Sequence, residues 1–81
     1  MLIGEVIGNV WATKKYDGLE GQKFLIIKTE DGRRMVAVDP VGAGIGEMVI
    51  IATGGAARTV YNIKDKPIDA AIIGIIDGME E

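Results

Sequence analysis

Apolar residues along this chain gather into short runs, separated by connections rich in glycine and charge. In residues 2–13 the even positions, Leu2, Gly4, Val6, Gly8, Val10 and Ala12, are small and wholly apolar. The odd positions, Ile3, Glu5, Ile7, Asn9, Trp11 and Thr13, are mixed. Successive side chains of a strand point to opposite faces, so this alternation predicts a first strand with its even face inward. Glycine repeated on an inner face suits a strand that coils sharply around a narrow barrel. A helix over the same residues fits poorly, because each interior glycine costs about 1 kcal/mol there.

Residues 23–30, built on Phe24, Leu25, Ile26 and Ile27, predict a second strand. Asp31-Gly32 accepts positive φ and predicts a tight hairpin into a third strand over residues 34–39. Residues 48–53 and 70–77 predict the fourth and fifth strands, the last with Gly74 as a bulge or close-approach point. Between them, Gly54-Gly55 breaks the ladder and residues 56–63 predict one or two helical turns. Five short strands with one short helix describe a single all-β domain over residues 1–81, an OB-like β-barrel closed so that no sticky edge is left. Composition alone does not separate it from an SH3-like barrel.

The most informative segment runs from Val36 to Arg58, VAVDPVGAGIGEMVIIATGGAAR. Its glycine comb, Gly42, Gly44 and Gly46, looks at first like a phosphate cradle. Such a cradle needs a helix whose first N–H groups point at the anion. Here Glu47 leads straight into a predicted strand, so the βαβ context of a dinucleotide fingerprint is missing. The comb reads as a wide strand-to-strand turn, and a nucleotide-using enzyme is disfavoured.

Composition narrows the function further. The 81 residues contain neither cysteine nor histidine, which excludes disulfides and any thiolate or imidazole metal site. A domain this small is marginal alone, and oligomerisation is the remaining means of support. The hydrophobic fraction of 48% is high for so small a globule and points to buried subunit interfaces. No apolar run reaches the roughly 18 residues of a membrane span. The start, MLIGEV, lacks the basic and long apolar regions of a signal peptide, so an intracellular protein is expected.

Asp39, Glu47, Asp69 and Asp77 lie near strand ends, but no nucleophile–base pair accompanies them, and capping or turn hydrogen bonds are the simpler role. No enzyme activity and no cofactor are expected. A net charge of −3 and few aromatics argue against nucleic acid, although Lys14-Lys15-Tyr16 would be the place for it. Gly54-Gly55-Ala56-Ala57-Arg58 is a turn in a monomer. In a ring it could line an axis, where only small side chains fit.

Taken together, the residues closely resemble the EutN/CcmL family, the pentameric vertex proteins of bacterial microcompartment shells. The resemblance runs through MLIGEVIGNVWATKK, LEGQKFLIIK, the central block from Val36 to Arg58, and PIDAAIIGIID. Gly55 departs from it, since the family often has Ser there. The resemblance implies an OB-like barrel that closes into a homopentamer at the corners of a shell in the bacterial cytoplasm, beside hexagonal facet proteins. It implies no catalysis, and with the charge and the short apolar runs above, no nucleic-acid or membrane partner is expected. It assigns Thr13, Lys15, Asp39, Gly42, Gly44, Arg58 and Asp69 to subunit contacts or loop shaping, and sets Gly54, Gly55, Ala56 and Ala57 nearest the five-fold axis. The competing expectation is a stand-alone OB-like domain that binds nucleic acid or a small anion.

Overall fold

A computed structural model describes residues 1–13, 15–60 and 66–80. It contains β1 (Leu2–Val10), β2 (Phe24–Thr29), β3 (Arg34–Val38), β4 (Met48–Thr53), a 3-10 turn (Gly54–Thr59) and β5 (Ala70–Ile75). The strands close a barrel in the order β1-β2-β3-β5-β4. The other neighbouring strands pair antiparallel, while β3 and β5 meet in parallel at Val38 and Ala71. The five-stranded barrel is thus the architecture that the apolar runs and the turns between them predict.

The strand ends differ from the sequence-based expectation. β1 stops at Val10, and Trp11, Ala12 and Thr13 are exposed beyond it. β5 stops at Ile75, two residues short of Asp77. The helical turn begins two residues earlier than expected, at Gly54. There Gly54 takes a φ of 67° and donates its N–H to the Asp69 carbonyl at 2.8 Å, which folds the chain back at the end of β4. Residues 61–63 of the expected helix lie outside the described residues.

Burial splits into two clusters. Inside the barrel, Val6, Leu25, Ile27, Val49, Ile51 and Ile72 pack together with Ala37, Ala43 and Ala70. Outside it, Val38, Ala57, Ile68 and Ala71 form a second cluster where the 3-10 turn lies on the barrel wall.

The even face of β1 points inward only as far as Val6. Val6 pairs with Ile27, whereas Gly8 pairs with Ile26, so Ile7 is an extra residue in the ladder. This bulge turns Gly8 and Val10 outward, a change that a strict period of two does not anticipate. Gly4 remains inside, where a Cβ would overlap Ile27 Cγ2 and come within 2.9 Å of the Lys28 carbonyl oxygen. At Gly8 the first contact is a yielding one, Ile26 Cδ1 at 3.4 Å. Overpacking a tight core costs about 1–3 kcal/mol. Gly4→Ala is therefore expected to lose that much in urea unfolding at fixed protein concentration, and Gly8→Ala clearly less.

The β2–β3 hairpin closes as its Asp-Gly signal predicts, with Gly32 at φ 85°. The Thr29 hydroxyl donates to Asp31 Oδ1 at 2.5 Å, and the Arg33 N–H donates to the same oxygen at 3.2 Å. These bonds, the hydroxyl first, hold the Asp31 carboxyl below its ordinary range. A depressed carboxyl lends stability above its unfolded pKa and loses it as pH falls through the folded value. NMR titration should find Asp31 below an ordinary aspartate, and Thr29→Val should move it back up.

Candidate functional site

The comb is built on one buried carboxylate. Asp39 follows the last residue of β3 and is only 6% exposed. Its Oδ1 accepts the N–H groups of Val41 at 3.0 Å and Gly42 at 2.9 Å, and its Oδ2 accepts that of Ala43 at 2.8 Å. Short side-chain-to-backbone bonds of this kind are what Asp offers a turn. Lys23 completes the charge, with Nζ 3.5 Å from Oδ2 and a hydrogen bond to the Ala43 carbonyl at 3.3 Å. Ala43 is thereby pressed into the barrel core.

The second half of the comb is held by Glu47. Its Oε1 accepts the Gly44 N–H at 2.6 Å, and its own N–H donates to the Gly44 carbonyl at 3.1 Å. Gly46 donates to the Val6 carbonyl at 2.8 Å, and Val6 donates back to the Glu47 carbonyl at 3.0 Å. Gly42 and Gly46 stand at φ 94° and 92°, which a side chain would strain. The comb therefore joins β3 to β4 as expected. The four N–H groups at positions 41–44, which a phosphate would need, are given to the chain's own carboxylates.

The 3-10 turn presents a different surface. Gly54, Gly55 and Ala56 are exposed and small. Ala57, expected beside them, is fully buried, because it anchors the turn on Val38 and Ala71. Half-buried Arg58 donates to the Ile68 carbonyl at 3.4 Å, and exposed Asp69 contributes its carbonyl to Gly54. Arg58 and Asp69 thus converge on one corner, where they tie the turn to the start of β5.

Thr13 and Lys15 lie exposed in the connection from β1 to β2 and belong to neither corner. Lys14 lies outside the described residues. Lys23 escapes sequence reasoning. Its only signal is position: it stands just before β2, where its carbonyl accepts the Asp39 N–H at 2.8 Å and so brings its ammonium to the carboxylate.

Removing the Asp39 carboxylate strips three amides of their acceptor. Hydrogen bonds to a charged group are worth more than neutral ones, and Asp39→Ala is expected to cost about 2–3 kcal/mol. Hydrogen exchange should locate the damage at the amides of Val41, Gly42 and Ala43. Asp39→Asn should fall between, because one carboxylate oxygen becomes an NH₂ that cannot accept.

The sequence profile of the family described as "Ethanolamine utilisation protein EutN/carboxysome" matches residues 1–77. The carboxysome shell vertex protein CcmL of Thermosynechococcus vestitus is 48% identical over 83 residues, covering 95% of this chain and 84% of that protein. The solved CcmL of Gloeobacter violaceus superposes with a TM-score of 0.92 at 40% identity, over 100% of this chain and 90% of that one. GrpN, a pentameric microcompartment shell protein from Rhodospirillum rubrum, does so at 0.90 and 41% identity, over 100% and 99%. By this match along its sequence and its barrel, the chain belongs to the EutN/CcmL family of microcompartment shell vertex proteins.

Proposed function

We propose that five copies of this chain close into a ring that caps the corners of a microcompartment shell in the bacterial cytoplasm. The role is structural and involves no catalytic step. The observation that carries it is the end-to-end likeness to a solved pentameric shell protein at 41% identity. Head-to-tail contacts make a ring when the rotation closes. A flat hexagonal layer needs five-fold points to become a closed polyhedron. The neighbours at each corner are then the hexagonal facet proteins.

Within that ring, the exposed Gly54, Gly55 and Ala56 are the residues for the axis, since they project almost no side chain. Arg58, Asp69 and the Asp39 loop with Gly42 and Gly44 act behind them by fixing loop shape, and Thr13 and Lys15 lie at a contact between subunits.

Co-expression with hexagonal facet proteins, followed by electron microscopy, tests the role. Closed polyhedra are expected with this chain, and tubes or open sheets without it. Closure that is equally good in its absence would contradict the proposal. Gly55→Trp should reduce closed shells severalfold by crowding the axis, and Arg58→Ala should do so less by loosening the turn. If both variants close shells normally, the axis lies elsewhere.

A further inference from the structure

The outer wall of the barrel is apolar on two separate faces. On the first, Ile26 stands between Gly8 and Val36, and Phe24 stands opposite Val10. Their strand neighbours Leu25 and Ile27 fill the interior, so these residues point out. Val36 is 48% exposed, and Trp11 just beyond Val10 is 89% exposed. On the second face, Ile50 stands between Ile3 and Gly74. Met48 lies beside Glu5, and the Ile76 N–H donates to the Met48 carbonyl at 2.8 Å. Here Val49 and Ile51 are the inward neighbours. Ile3, Met48, Ile50 and Ile76 are each only half-buried.

The faces lie on either side of β1, the first centred on β2 and the second on β4. Their edges carry opposite charge. Beside the first, Lys28 and Arg34 face each other across the strands, an arrangement that like charges disfavour. Glu5 stands opposite Lys28 on β1, yet neither cation has an ion pair among the described residues. At the edge of the second, exposed Asp77 follows Ile76. A head-to-tail ring needs two different, complementary patches on every subunit.

We infer that the first face of one copy packs on the second face of the next, with Lys28 and Arg34 reaching Asp77 of the neighbour. This assignment rests on the ring reading above and goes further by naming both halves of the contact. Gly8 and Gly74 flatten their respective faces, which lets the two walls approach closely.

Native mass spectrometry of mixed variants tests it. Val36→Asp spoils the first face and Ile76→Asp the second. Each variant alone is expected as a monomer, with a native circular dichroism spectrum. Mixed in equal amounts at high micromolar concentration, they should give a one-to-one dimer and no ring, because a single intact contact remains. Pentamers from both variants, or two monomers that do not pair, would overturn the assignment while a pentameric wild type leaves the ring itself standing. A monomeric wild type would remove the ring and the assignment with it. Should an aspartate variant misfold, charge exchange decides: Arg34→Glu should loosen the ring at least severalfold, and adding Asp77→Lys should restore it. Absence of that rescue would count against the pairing.

Discussion

Five short strands closed on themselves enclose little space, and that constraint governs the rest of the molecule. The interior accepts a few large side chains, Leu25, Ile27, Ile51 and Ile72 among them, and fills the remainder with Ala37, Ala43, Ala70 and a bare Gly4. A chain that is 48% hydrophobic has more apolar residues than so narrow a barrel can hold. The surplus is placed on the outer wall. Part of it is covered by the 3-10 turn, whose Ala57 closes over Val38 and Ala71. The rest, from Ile3 to Ile76, stays half-covered or, as at Trp11 and Val36, exposed, a condition that suits a subunit built to be packed against its neighbours.

The same constraint explains the long connection between β3 and β4. β3 pairs with β5 and not with β4, so the chain must cross one end of the barrel before β4 can begin. A backbone crossing an apolar opening needs partners for its N–H groups. Asp39 supplies them for three consecutive residues, Lys23 balances its charge, and Ala43 seals the opening. The glycine comb is thus a consequence of strand order. It resembles an anion cradle because it is one, with the anion supplied by the chain itself.

Much of this was legible in the sequence. Alternation in residues 2–13 and short apolar runs elsewhere mark all five strands, the Asp31-Gly32 pair marks the hairpin, and the absence of a helix after the comb disfavours a nucleotide. What escaped depends on long-range register. The extra residue at Ile7 reverses the faces of β1 midway, and nothing local to Val6-Ile7-Gly8 announces it. Likewise Ala57 and Ala56 are the same residue in the same turn, and only tertiary packing buries one and exposes the other. Lys23 reads as a surface lysine until β2 and β3 align. Hydrogen bonds confined to one loop, such as those of Asp39 with Val41 and Gly42, are thus open to local sequence reasoning, and contacts between strands are not.

A barrel with two apolar flanks and opposite charges at their edges makes sense as one member of a closed ring. Sedimentation velocity at micromolar concentration measures whether that ring forms. One species with five times the mass of the 8.6 kDa chain is expected, persisting on dilution. A single stable species of one chain mass would contradict it.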